Sequence, residues 1–170
     1  MRVRKRRHMN EAAHALAIAL RAAYLTMHRR ADAHFARHGV TADQFVLLNI
    51  LAQESEVTQQ TLVARASSDP NTVRAMLLLL EGRSLVSRER HPLDGRARSV
   101  SLTKKGRKLH QRLMSASQSF LARLVADYRP DELATLLDLL GRIPTAMVGR
   151  DGAPVRRSGS ASEADVIGAS

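Results

Sequence analysis

The chain has no cysteine and no tryptophan, and only two Tyr and three Phe among its 170 residues. Without a thiol there is no disulfide, zinc–thiolate site, iron–sulfur cluster or cysteine nucleophile, and a reducing cytoplasm is the expected compartment. Five aromatic rings are too few for a platform that stacks successive bases, so single-strand binding of that kind is not expected. No apolar run reaches the roughly 18–20 residues needed to cross a bilayer. The stretch Ala12–Leu20 behind the basic run Arg2–Arg7 imitates the start of a secretory signal. It carries His14, stops at Arg21 and is followed by Arg29 and Arg30, so it reads as ordinary chain. Acids are scattered singly, and neither a glycine-rich phosphate loop nor a Ser–His–Asp order occurs. The expectation is a non-enzyme without a cofactor.

What is present is apolar content and positive charge. Hydrophobic residues make up 44%, enough to bury a core, and the length suits one domain with frayed ends. The formal charge is +11, unevenly spread. Residues 1–9 hold five basic groups and no acid, and are expected to form a flexible basic arm. Residues 83–112 hold ten basic groups (Arg83, Arg88, Arg90, Arg96, Arg98, Lys104, Lys105, Arg107, Lys108 and Arg112) against Glu89 and Asp94. A basic stretch on a nearly neutral body is the footprint of a phosphate-backbone binder, although a merely solvated face has the same composition.

The apolar spacing then orders the chain. Leu16, Leu20, Tyr24, Met27, Ala31 and Phe35 stripe a long helix from Asn10, ended at Gly39. Thr41 with Gln44 forms a capping box for a second helix, and Thr58 caps a short third one. Ser67–Ser68–Asp69–Pro70 is a helix start, with Pro at the first helical position. The helix behind it holds Val73, Met76, Leu77, Leu79 and Leu80 and stops at Gly82. Two short helices joined by a tight turn read as a helix-turn-helix. Leu85–Arg90 and Arg98–Leu102 alternate like strands around the turn residues His91–Pro92–Leu93–Asp94–Gly95, a hairpin placed where a wing belongs. Thr103 caps a long helix striped by Leu109, Leu113, Ala116, Phe120 and Leu124. A last helix carries Leu133, Leu136, Leu137, Leu140 and Ile143 and is expected to end near Pro144. Residues 148–170 lack periodicity and are expected to be a disordered tail.

These residues resemble the winged-helix core of the multiple antibiotic resistance regulator (MarR) family. The resemblance rests on Thr41-Ala-Asp-Gln-Phe-Val-Leu-Leu, Val57-Thr-Gln-Gln-Thr-Leu-Val-Ala, Asn71-Thr-Val-Arg and Leu85-Val-Ser-Arg. Most specific is the run His91-Pro-Leu-Asp-Gly-Arg-Ala-Arg-Ser-Val-Ser-Leu-Thr-Lys-Lys-Gly. His91 and Gly95 depart from the usual pattern, and the helix-turn Ser67–Ser68–Asp69 lacks the common glycine. The resemblance implies a mainly α fold with a small β-wing. The winged helix-turn-helix would span 41–103, flanked by dimerisation helices at about 10–38 and 104–146 within one domain, 10–147. It also implies a homodimer that binds a pseudo-palindromic operator, usually as a repressor, and small aromatic or anionic effectors held between the dimer helices and the core.

Individual residues carry their own chemistry. Asn71, Thr72 and Arg74 fall in the first turn of the recognition helix, where Asn suits adenine, Arg suits guanine and Thr suits a thymine methyl. The plainer alternative is that Asn71 and Thr72 finish the cap and Arg74 touches phosphate. Thr58 and Gln59 suit phosphate contacts at a helix start. Arg96 at the hairpin tip suits a minor groove, with Asp94 orienting it. Arg88, Arg90 and Arg98 read as phosphate contacts or solvated strand residues. Tyr24, His28, Arg37 and Phe45 are effector-pocket candidates by type only. His34 and His38 lie one turn apart, but dimer-face or solvated histidines are the better reading, and no metal is expected. The rival function is a nonspecific architectural DNA binder, separated from a regulator by the ratio of specific to nonspecific affinity.

Overall fold

The computed structural model describes residues 2–54, 56–90 and 98–151. In chain order the elements are α1 (Arg2–Ala36), α2 (Ala42–Gln53), β1 (Val57–Thr58), α3 (Gln59–Arg65), α4 (Pro70–Gly82), β2 (Val86–Arg90), β3 (Arg98–Leu102), α5 (Lys104–Val125) and α6 (Pro130–Asp151). The fold is mainly α with a small antiparallel sheet of order β1-β3-β2. Two compact units divide at Leu124 and Val125 and are described separately.

Local capping chemistry starts the helices. The Thr41 hydroxyl accepts from the Gln44 N–H at 3.1 Å while the Thr41 N–H donates to Gln44 Oε1, the reciprocal box that the sequence signals. Asp32 Oδ1 adds a bond from the Ala42 N–H at 2.7 Å, tying α1 to the start of α2. Thr58 caps α3, Asp69 caps α4 with Pro70 behind it, and the Thr103 hydroxyl accepts from the Gly106 N–H at 3.0 Å. Each such cap is worth about 1 kcal/mol against alanine where it is partly shielded.

The core of the first unit gathers Phe35 and Ala31 from α1, Leu47, Leu48 and Leu51 from α2, and Leu62 from α3. It adds Val73, Leu77 and Leu80 from α4, Val86, Val100 and Leu102 from the sheet, and Leu109 and Leu113 from α5. Phe35 stacks on Phe45 with ring centroids 4.3 Å apart. A fully buried leucine contributes about 1.5–3 kcal/mol, so the leucines of α2, α4 and α5 hold these helices around the sheet. Gly106 lets α5 approach the chain at Leu85, because a Cβ there would meet the Leu85 carbonyl oxygen at 2.0 Å.

Two expectations need correction, and two further features go beyond the sequence reading. α1 begins at Arg2, so the basic run is helical instead of a flexible arm. Arg and Lys are good helix formers, and no Pro or Gly interrupts residues 2–38. Val57–Thr58 forms strand β1, paired with β3 through Val57↔Val100 and Thr58↔Ser99. α6 runs through Pro144 to Asp151, so the proline is carried inside the helix. Such a proline loses one backbone bond and crowds the preceding turn. Leu79, one of the apolar residues of α4, is 60% exposed. The 148–170 tail lies outside the described residues from 152 onward.

In the second unit, α6 opens with Asp131 and Glu132, and Glu132 Oε2 accepts from the Arg129 N–H at 2.9 Å. Acids in a first turn suit the positive end of the helix dipole. Leu136, Leu137, Leu139 and Leu140 are exposed along it.

Candidate nucleic-acid interface

α4 has one buried face and one exposed face. Val73, Leu77 and Leu80 face inward at i, i+4 and i+7, and Asn71, Thr72, Arg74, Ala75, Leu78 and Leu79 face outward. α4 packs on α3 and on β2, so the exposed face is presented by a helix anchored on its other side. Its first turn carries no acid. The cap, however, belongs to Asp69: its Oδ1 accepts from the Thr72 N–H at 2.9 Å. The Thr72 hydroxyl, followed by the backbone bond, holds the Asp69 carboxyl below its ordinary range. The Thr72 hydroxyl is thus drawn to the cap, which leaves its methyl group for other contacts. The Asn71 backbone also serves the Asp69 cap, whereas the side chains of Asn71 and Arg74 have no hydrogen bond or ion pair among the described residues.

The sheet ties the start of α3 to the wing. Thr58 pairs with Ser99, which in turn pairs with Glu89, so one cross-strand rung joins β1, β3 and β2. The Thr58 hydroxyl lies 2.9 Å from that of Thr61 and accepts from the Thr61 N–H at 3.1 Å. Its side chain serves the cap that the sequence signals, which keeps Thr58 at the start of α3. Gln59 follows it half-buried. Arg90 and Arg98 are register partners at the end of the ladder next to residues 91–97. Asp94 and Arg96 lie outside the described residues.

Arg88 is the clearest correction. It was expected as a phosphate contact or a solvated residue, yet its side chain is only 12% exposed and its Nε lies 3.2 Å from Glu81 Oε2. That Nε–H is not aimed at the oxygen and has no hydrogen bond, so it is an ion pair with one buried polar atom unsatisfied. Strand parity explains the placement. Arg88 shares a face with buried Val86 and lies opposite buried Val100.

Two more of the ten cations are also engaged internally. The Arg83 guanidinium donates to the Gly39 carbonyl, and Lys105 Nζ donates to the Arg83 carbonyl at 2.8 Å. Lys104, Arg107, Lys108 and Arg112 of α5 remain exposed. Nothing in the sequence marked the Arg83 pin, since its partner lies 44 residues away.

Three of the four pocket residues come together. Tyr24, His28 and Phe45 line a cavity of about 280 Å³ with Phe35, Met76, Ser68 and Phe120. His28 sits between Asp32 and Asp43, with Nδ1 3.4 Å from Asp32 Oδ2 and Nε2 3.2 Å from Asp43 Oδ1. Arg37 does not belong to it. Tyr24, His28, Ala31 and Phe35 follow one face of α1, whereas Arg37, in the turn just past its end, lines an open trough with Arg30 and Arg123. His34 donates from Nε2 to the Ala116 carbonyl at 2.9 Å. Among the described residues no group of three His, Cys, Asp or Glu is placed to hold a metal ion. His110 Nε2 meets Asn49 Oδ1 at 3.1 Å, and burial pushes its pKa down. No described helix is long and apolar enough to cross a membrane.

This arrangement has counterparts among known proteins. The MarR family model matches residues 40–97, from the start of α2 into the wing. An uncharacterized HTH-type transcriptional regulator of Bacillus subtilis, YdgJ, is 30% identical over 105 residues, 62% of this chain and 64% of the relative. This chain thus spans just under two thirds of that relative's length. The HTH-type transcriptional regulator MgrA of Staphylococcus aureus is 31% identical over 109 residues, 64% of this chain and 73% of the relative. Among solved structures, the transcriptional repressor CouR bound to a 23-mer DNA duplex is 29% identical, covers 80% of this chain and 96% of its own, and superposes with a TM-score of 0.71. By fold, by the winged helix-turn-helix and by these likenesses, the chain belongs to the MarR family of HTH-type transcriptional regulators.

Proposed function

We propose that this protein is a sequence-specific binder of duplex DNA that acts as a homodimeric repressor on a pseudo-palindromic operator and answers to a small aromatic effector. It works by binding, without a reaction of its own, in the compartment that holds the DNA. The observation that carries the reading is the outward face of α4, where Asn71 and Arg74 stand free on a helix anchored by Val73, Leu77 and Leu80. An amide and a guanidinium one turn apart at a helix N-terminus match base edges in a major groove. The wing arginines Arg90, Arg96 and Arg98 and the exposed cations of α5 serve the phosphate backbone in this reading, with Arg96 in the minor groove.

Dimerisation is supported by apolar surface that a single chain leaves open. Leu16, Ile18 and Tyr24 of α1 are more than half exposed, as are Leu137 and Met147 of α6, and Leu121 and Leu124 of α5 are nearly so. A two-fold pair would set two copies of α4 about one turn of DNA apart, and the operator would mirror that symmetry. The cavity beside His28 supports effector binding, since it is largely apolar with a few polar groups, and Ser68 and Met76 join it to the helix-turn-helix.

The test is selection of bound duplexes from a random pool, followed by affinity for the winner and for unrelated DNA at physiological salt. A regulator prefers the winner by about 10³-fold or more. A ratio near one would replace this reading by the architectural one, in which the basic surface acts as sequence-blind phosphate glue.

A further inference from the structure

The row of α4 that carries Asn71 and Arg74 continues with residues that have no hydrogen-bonding side chain. Asn71, Arg74, Ala75 and Leu78 stand at i, i+3, i+4 and i+7 and are all exposed. Leu78 is 50% exposed on a helix whose buried leucines, Leu77 and Leu80, are fully covered. A leucine in this position is neither core nor a polar reader. Resting on the reading of α4 as the recognition helix, we infer that Ala75 and Leu78 are specificity-determining residues that select thymine through its C5 methyl group. The occupant follows from continuity: the same row begins with two base-reading side chains, and an apolar group in a major groove has the thymine methyl as its matching feature.

Size and position agree with this assignment. The helix enters a groove by its N-terminal end, so residues farther along need longer side chains to reach a base edge. Ala75 is short and near, Leu78 long and distal. Seven residues of α-helix advance about 10 Å, roughly three base-pair steps of 3.4 Å each. The methyl read by Leu78 therefore lies within about three base pairs of the base read by Asn71. Leu79 is 60% exposed but off this row, on the flank shared with Thr72, and serves as the control.

The experiment starts from the duplex selected out of the random pool and replaces its half-site thymines one position at a time by uracil, which removes only the methyl. Affinity is measured for the full chain, for Leu78→Ala and for Leu79→Ala, each first checked for an unchanged melting temperature. One buried methyl is worth about fourfold in affinity, so a symmetric replacement in both half-sites is expected to weaken the unaltered protein about 15-fold. The same replacement is expected to cost Leu78→Ala less than twofold, while Leu79→Ala keeps the full penalty. The inference is overturned if uracil is neutral at every thymine, or if Leu78→Ala retains the whole uracil penalty. It is also overturned if Leu78→Ala changes the mass of the particle in solution in place of its sequence preference, since the patch is then a protein contact. A pool that enriches no sequence removes the regulator reading itself, an outcome distinct from a selected site indifferent to uracil.

Discussion

Gly106→Ala tests how the wing is held on α5. The added Cβ would lie 2.0 Å from the Leu85 carbonyl oxygen, 3.0 Å from its carbon and 3.3 Å from Leu102 Cδ2. Relief to ordinary contact needs about 1.4 Å of movement in backbone on one side or the other, in an interior packed like a crystal. That same Leu85 oxygen accepts from the Thr103 N–H at 3.1 Å and lies 3.3 Å from the Thr103 hydroxyl, so the movement strains both bonds. Two weakened hydrogen bonds cost about 2 kcal/mol and overpacking about 1–3, offset by about 1 from alanine's better helix propensity. The net loss is about 2–4 kcal/mol, a fall in melting temperature of about 5–15 °C for a chain of this length. The assay is thermal unfolding followed by circular dichroism at one fixed protein concentration, because a dimer's midpoint depends on concentration. Gly141→Ala is the control, since nothing lies within 4 Å of its Cβ position, and it should gain up to about 1 kcal/mol. A Gly106→Ala protein that melts with or above the parent would refute the close approach of α5 to Leu85.

Ser84→Gly should stabilise, because Ser84 holds a φ of +57°. Relief of about 1–2 kcal/mol outweighs the entropy glycine adds to the unfolded chain, and the midpoint should rise by a few degrees. Arg74→Ala should flatten affinity differences at one or two positions per half-site, whereas Lys104→Ala should give a small sequence-blind loss and a shallower salt slope; a panel of duplex variants at two salt concentrations distinguishes them. His110 favours its neutral form when folded, so the unfolded chain takes up the proton first as pH falls below about 6.5, and stability declines there. His110→Gln should lose that part of the pH dependence in melts between pH 7 and 5.

Legibility followed the range of the interaction. Thr41 with Gln44, Asp69 with Pro70, and Thr103 could be read directly, because a cap is decided within three or four residues. The hairpin was legible for the same reason, with alternation on both sides of a turn-forming run. β1 was not, because two residues become a strand only through β3, about forty positions later. The four consecutive leucines 77–80 hid which of them face outward, and only counting from Val73 separates Leu77 and Leu80 from Leu78 and Leu79. Arg88 misled by its charge, although its parity with Val86 already pointed inward. Of the pocket residues chosen by type, Tyr24, His28 and Phe45 line one cavity, whereas Arg37, just beyond the end of α1, lines another.

The pin at Arg83 fixes the C-terminal end of α4 more firmly than the cap fixes its start. Its C-terminal end is tied through the Arg83 side chain to Gly39 and through the Arg83 carbonyl to Lys105, whereas its N-terminal end is held by the cap at Asp69 and the turn before it. From Gly82 to Asn71 the arm is about 16 Å long. A swing of about 5° about the pinned end displaces Asn71 by roughly 1.4 Å over that arm, half the length of a hydrogen bond, and leaves Glu81 almost where it was. Of the residues that line the cavity beside His28, Met76 lies on this arm and Ser68 in the turn before it, so a displacement at the cavity would reach the tip through them.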